Sequence, residues 1–232
     1  YAGLRYINDN SLNILTVEDP IEYTLEGIGQ TQVNNKTGYD FARGLRSILR
    51  QDPDVVMLGE IRDEETARIA IQSSLTGHLV MSTVHTNSAV GAITRLRDMG
   101  IESFLLASSL KTIISQRLVR RLCNECKSET KVSQRAIELL GLKKGQTVFS
   151  AKGCNHCDGT GYKGRIAIAE SIQISTDLKD MIHDEASEQD IHKIAFKDIQ
   201  TIDQIGSELL TQGLTSPEEL IRINNQQEDA SI

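Results

Sequence analysis

The chain has 232 residues, room for one large domain or two small ones with a real core. A formal charge of −7 with no long basic block disfavours nucleic acid as the main partner, because a binder of phosphate backbones carries the opposite balance. Apolar content of 39% with 4% aromatic suits a globular, soluble chain. No apolar run is long enough to span a bilayer and no signal-peptide pattern opens the sequence, so membrane contact is expected to go through a partner.

In chain order, the opening YAGLRYI reads as the middle of a helix and starts on Tyr1, so we expect a fragment of a longer protein. Asn13 to Val17 (NILTV) is weakly alternating and β-branched. It reads as a strand that ends in Glu18 and Asp19 and is stopped by Pro20. From Ile21 to Gly38, short alternating stretches broken by Gly27, Gly29 and Gly38 predict a β-hairpin or extended arm. Asp40 then caps a helix whose Phe41, Leu45, Ile48 and Leu49 form an apolar face, with Arg43, Arg46 and Arg50 along another.

The central stretch is Asp52 to Asp63, DPDVVMLGEIRD. Val55 to Leu58 is short, apolar and β-branched, which predicts a strand buried on both faces. Gly59 breaks it just as Glu60 arrives, so a carboxylate is delivered at the strand's carboxyl end, the pattern of a Walker B segment that holds Mg²⁺ and nucleotide phosphates. Asp63 caps a helix ended by Gly77. A strand from Leu79 to Val84 then leads to His85. Asn87 or Ser88 is expected to cap the next helix, which stops at Gly100, and a further helix is predicted from about Phe104 to Val119.

Alternating strands and helices predict an α/β fold with a parallel sheet and crossover helices. Three successive strands then bring Glu18, Glu60 and His85 to one sheet edge, where ligands of such sheets bind, and this points to phosphate or metal chemistry. A satisfied histidine at a strand end is the alternative for His85. For Arg43, Arg46 and Arg50 a phosphate or neighbouring-subunit role stands beside a solvated helix face, with Arg50, closest to the central strand, the first choice if one of them is functional.

All four cysteines fall into two pairs, Cys123-x-x-Cys126 and Cys154-x-x-Cys157. Two such knuckles supply a tetrahedral four-sulfur shell suited to Zn²⁺. Disulfides and redox pairs are disfavoured, and His156, inside the second knuckle, is not needed once four thiolates fill the shell. CNHCDGTG also resembles one unit of the chaperone-type zinc domains, which carry several. Arg165 to Ile174 reads as a strand. Helical patterns follow, with Ser187 and Asp190 as a capping pair and Ser216, Pro217 and Glu219 opening a last helix.

The strings LTVEDPIE, LRQDPDVVMLGEIRD and TGHLVMSTVHTNSAVGAITRL resemble the Asp box, Walker B segment and His box of the secretion ATPases that drive type II secretion and type IV pilus assembly. With the cysteines, the likeness covers nearly the whole chain. It implies a RecA-like ATPase core in 1–119, a four-cysteine zinc module in 120–164 and a mostly helical part in 165–232. It also implies ATP, Mg²⁺ and Zn²⁺ as cofactors, and a cytoplasmic homo-hexamer working with inner-membrane components of a secretion or pilus machine. Carried over by motif, Glu60 is the Walker B acid, Glu18 orients or activates the attacking water, and His85 senses nucleotide state or braces a subunit contact, with His78 a weaker member of the same box. In that family a Walker A loop ending in Gly-Lys-Ser/Thr precedes a helix that begins much like YAGL, as does a domain that supplies arginines. The chain is therefore expected to start just after that loop and to show negligible turnover by itself. The cysteines point away from a retraction motor and leave type II secretion, the favoured reading, beside pilus extension. A zinc-centred binding module without enzymatic activity is the alternative of another class.

Overall fold

A computed structural model describes residues 1–9 and 11–229, with side chains through Asn224. These residues divide into two units, each taken by itself below.

The first unit holds Tyr1–Thr86, Val90–Lys111 and Ile174–Ile191. Helix α1 (Ala2–Ile7) leads into β1 (Ile14–Glu18), and β2 (Gly29–Gln32) follows after a long loop. Next come α2 (Phe41–Ile48), β3 (Val55–Leu58), α3 (Glu64–Leu75), β4 (Leu79–Ser82), α4 (Gly91–Asp98) and α5 (Ser103–Ser109). The four strands form one sheet in the order β2-β1-β3-β4. Every pairing is parallel, with Val17 opposite Leu58 and Leu58 opposite Ser82.

The caps that the sequence predicts are made. Asp40 accepts a hydrogen bond from the Arg43 amide at the start of α2, and Asp63 accepts one from the Thr66 amide at the start of α3. Side chains of β1 alternate between the sheet faces. Ile14 joins Leu4, Leu25 and Val55 in a core under α1. On the other face α2 comes close enough that a Cβ on Gly44 would lie 2.7 Å from Val17 Cγ1. A glycine is required there by the approach itself rather than by backbone angle.

The second unit begins with β5 (Thr112–Leu122), which pairs antiparallel with β8 (Tyr162–Gln173). Between them lie β6 (Ser128–Lys131), α6 (Gln134–Leu140) and β7 (Thr147–Ser150), with β6 and β7 forming a separate antiparallel pair. The chain then returns to the first unit, where the Ile174 amide donates to the Lys111 carbonyl at 2.9 Å and α7 (Thr176–His183) packs on α5. Helix α8 (Glu188–Ala195) follows, and α9 (Ile202–Thr211) and α10 (Pro217–Asp229) complete the second unit, whose core gathers Val119, Val148, Ile168, Leu210 and Leu220.

Three local expectations are corrected. The segment predicted as a hairpin or arm contains β2, which pairs parallel to β1 as the edge of the main sheet, so its connection is a crossover and not a tight turn. The helix predicted to run to Val119 ends at Ser109, where Leu110 turns extended. Beyond it Ile113, Ser115, Arg117 and Val119 alternate with exposed positions, and pairing with β8 (Ile113 opposite Ile172, Val119 opposite Ile166) overrides the helical reading. Finally, α4 starts at Gly91 with Val90 in the cap position, not at Asn87 or Ser88.

Candidate functional site

Because β1, β3 and β4 are adjacent and parallel, their carboxyl ends share one border. Glu18 ends β1, Glu60 lies two residues past β3 and His85 three past β4. The connections at that border are tight. The Gly59 amide donates to the Val17 carbonyl at 2.8 Å, the Thr83 hydroxyl to the Gly59 carbonyl at 2.7 Å, and the Ile61 amide to the Thr83 carbonyl at 2.9 Å. A Cβ on Gly59 would stand 3.4 Å from the Glu18 Cα, so the chain turns past β1 almost in contact with it.

The two acids are held differently. Glu18 is 3% exposed. Its Oε1 accepts from the Thr16 hydroxyl at 2.6 Å and from Gln30 Nε2 at 3.0 Å, and its Oε2 accepts from the Tyr1 hydroxyl. Burial, and then this contact with Glu18, push the Tyr1 phenol above its ordinary pKa. Glu60 accepts from the Arg62 guanidinium on one oxygen, while His85 Nε2 lies 3.0 Å from the other. The Arg62 guanidinium holds the Glu60 carboxyl below the usual carboxylate value against the opposing push of burial, and His85 adds to the lowering. Those partners are open to solvent, the side chains of Arg62 and His85 being 59% and 86% exposed. Glu60 is thus held by exposed partners, and Glu18 by a network that fixes it.

The structure thus joins Glu60 to His85 directly and places Glu18 on the neighbouring strand. It does not bring Arg50 to that border. Arg50 follows the carboxyl end of α2, on the side where Asp54 pairs with Asn13 and the strands begin, because a crossover helix runs opposite to its strands. His78 sits on the same far side, its Nδ1 2.9 Å from the Ser73 carbonyl. Arg46 pairs with Glu65 and Arg43 reaches the Gly38 carbonyl, so these side chains have structural partners. Sequence reading missed Arg62, Thr16, Gln30 and Tyr1. For Arg62 a signal was present in its position two residues after Glu60. For Gln30 there was none, because a half-buried amide in an unrecognised strand carries no pattern.

In the second unit the four cysteine sulfurs lie within 4.8 Å of one another. Cys123 to Cys154 is 3.9 Å, while Cys126 to Cys157 and Cys154 to Cys157 are each 3.8 Å. A tetrahedron of sulfurs at a zinc–sulfur bond of about 2.3 Å has edges of about 3.8 Å, so the residues fit zinc, and the separations are far beyond a disulfide bond. The amides of Cys154 and Gly161 point at Cys157 Sγ at 3.2 and 3.1 Å. Burial pushes the Cys157 thiol up, but these donors outweigh it and bring it down to about 6, whereas burial drives Cys126 up to about 11. His156 is exposed and contacts Lys163 Nζ instead of the sulfurs.

An all-parallel sheet with helices on its faces and acids collected where the strands end defines the α/β class that takes ligands outside the carboxyl ends of its strands. A family model described as Type II/IV secretion system protein matches residues 1–222, and the chain belongs to that family. It is 53% identical over 229 residues to the Type II secretion system protein E of Pseudomonas aeruginosa, covering 98% of this chain and 46% of that relative. It is likewise 53% identical to the Type II secretion system ATPase E of Vibrio cholerae, covering 97% of this chain and 45% of that protein. The chain therefore spans about half the length of the curated relatives it matches. Among solved structures it is similar to the pilus retraction motor PilT with bound ADP, with a TM-score of 0.69 and 29% identity over 95% of this chain and 55% of that one. The fold is thus a PilT-like ATPase fold carrying a four-cysteine cluster.

Proposed function

We propose that the protein carrying this chain is an ATPase motor subunit that powers protein export through Mg²⁺-dependent ATP hydrolysis. The observation that carries this is the shared border on which three adjacent parallel strands gather Glu18, Glu60 and His85. In this reading Glu60 is the acid that would hold Mg²⁺ and its water, and its partners Arg62 and His85 are open to solvent. Glu18, fixed by Thr16, Gln30 and Tyr1, orients the attacking water, and His85, which touches Glu60, responds to the state of the nucleotide. Bound Mg²⁺ supplies charge neutralisation on the phosphates, and phosphoryl transfer needs little from the protein beyond that and positioning. Arg50 has no part in this border.

The relatives at 53% identity are type II secretion proteins, which favours export over pilus extension. The working form in this reading is a homo-hexamer at the cytoplasmic side of the inner membrane, held there by membrane partners. No described helix is long and apolar enough to cross a membrane. Zn²⁺ held by Cys123, Cys126, Cys154 and Cys157 is structural, since four thiolates leave no open position for chemistry. The test is Mg²⁺-dependent ATP turnover of the full-length protein with Glu60→Gln. Loss of about 100-fold or more is expected for an acid at the centre of charge development, and an unchanged rate removes Glu60 from the mechanism.

A further inference from the structure

We propose that Gln30 is a positioning residue for the reaction, clamping the Glu18 carboxylate in the one orientation in which it can face the attacking water. The inference rests on the reading of Glu18 as a catalytic acid given above.

Gln30 lies on β2 directly opposite Thr16 of β1, so its side chain leaves the sheet beside that of Glu18, two residues further along. Its amide is committed at both ends. Nε2 donates to Glu18 Oε1 at 3.0 Å and to the Tyr23 carbonyl at 3.2 Å, and lies 3.4 Å from the Tyr1 hydroxyl. Oε1 accepts from the Leu25 amide at 2.7 Å. The flip of the amide is thereby determined, because only the oxygen can receive the Leu25 N–H and only the nitrogen can serve a carboxylate and a carbonyl together. Leu25 is a buried core residue, so Gln30 is anchored to the packed interior at one end and grips Glu18 with the other.

A glutamate carboxylate, carried on three rotatable bonds, needs more than one donor to be held. Gln30 and Thr16 both donate to Oε1, which fixes that oxygen and leaves Oε2 to a single side chain, the Tyr1 hydroxyl. A buried polar network of this kind works only if every member is satisfied. Replacing the donor by an acceptor of the same shape strikes the Glu18 contact while keeping the Leu25 contact. Gln30→Glu does this, since a carboxylate still receives the Leu25 amide but repels Glu18.

The experiment measures kcat and KM for ATP in the full-length protein for Gln30→Glu, Thr16→Val and Glu18→Gln, with thermal midpoints for each. Gln30→Glu should lower kcat about 10- to 100-fold, the usual effect of losing an outer residue that orients a catalytic group, with KM for ATP changed less than about twofold. Thr16→Val, which removes the other donor isosterically, should lower kcat in the same direction. In the exchanged pair Glu18→Gln with Gln30→Glu a donor again faces an acceptor across this contact while the Tyr23 carbonyl still lacks its donor, so the thermal midpoint should recover part of what Gln30→Glu loses while turnover stays lost. If Glu18→Gln abolishes turnover and Gln30→Glu keeps the parent kcat, whatever Thr16→Val does, the inference about Gln30 is overturned and the reading of Glu18 stands. If Glu18→Gln itself keeps parent turnover, both fall together.

Discussion

Glu219 has no exposed surface, yet it carries a charge, and removing that charge is a sharp test of what holds the second unit together. Its carboxylate accepts from the Arg120 amide at 2.9 Å and from Arg120 Nε at 2.8 Å, and pairs with Arg222 Nη2 at 2.8 Å. Arg120 in turn lies 4.1 Å from the centre of the Tyr162 ring, and the Tyr162 hydroxyl meets Ser216 at 2.7 Å. The cluster therefore ties β5, β8 and the start of α10 around one acid. Burial pushes the Glu219 carboxyl up, but Arg222 and Arg120 outweigh it and bring it down to about 2, from an ordinary value of 4.5. At 1.36 kcal/mol per pKa unit, that difference amounts to about 3 kcal/mol of stability, of the size measured when one partner of a buried pair is deleted. The sign follows from linkage: a carboxyl depressed on folding contributes fully above about pH 4.5, and its contribution drains away as pH falls toward about 2. Glu219→Gln should therefore lower the unfolding free energy in urea by about 3 kcal/mol at pH 7, with the gap to the parent closing as the buffer is taken from pH 4.5 toward 2. A loss under about 1 kcal/mol at pH 7, or a gap that stays constant with pH, refutes the reasoning.

Two further outcomes follow from the packing and the sulfur cluster. Elemental analysis should find about one zinc per chain; Cys154→Ser should lose it together with the fold of the β6–β7 region, and zinc retained by that variant contradicts a four-thiolate site. Gly44→Ala should cost about 1–3 kcal/mol in denaturant titration, because the new methyl meets Val17 inside contact distance between α2 and β1; a neutral result means that the helix can back away.

The parts of this protein that were legible in its amino-acid order are those governed by short-range chemistry. Asp40 and Asp63 cap their helices because an acid before an apolar periodic run has few other uses, and Val55 to Leu58 is too short and too branched to be anything but an inner strand. The shared border of Glu18, Glu60 and His85 was also legible, since parallel order follows from alternating elements and fixes which ends gather. What escaped was decided by distant partners. β5 is a strand only because β8, some fifty residues later, offers Ile172 to Ile113 and Ile166 to Val119. β2 escaped because its residues, Gly29 to Gln32, are not apolar; their place at the edge of the sheet comes from pairing with β1, and with it went the recognition of Gln30. Arg50 was the first choice among the arginines because it lies closest along the chain to β3, whereas a helix that runs antiparallel to its strands puts the tail of α2 at the far end of the sheet. Glu219 was read as a helix-start acid, which it is, but its pairing with Arg120 from 99 positions earlier left no local trace.

The hydrogen bond between Ile174 and Lys111 closes a long excursion of the chain at the spot where it began. Sixty-two intervening positions, among them every cysteine, belong to the second unit and are bracketed by that bond. A segment attached in this manner can lengthen, shrink or acquire a metal clasp without shifting the register of α5 or α7, since closing such a loop costs only about (3/2)RT ln n in chain entropy.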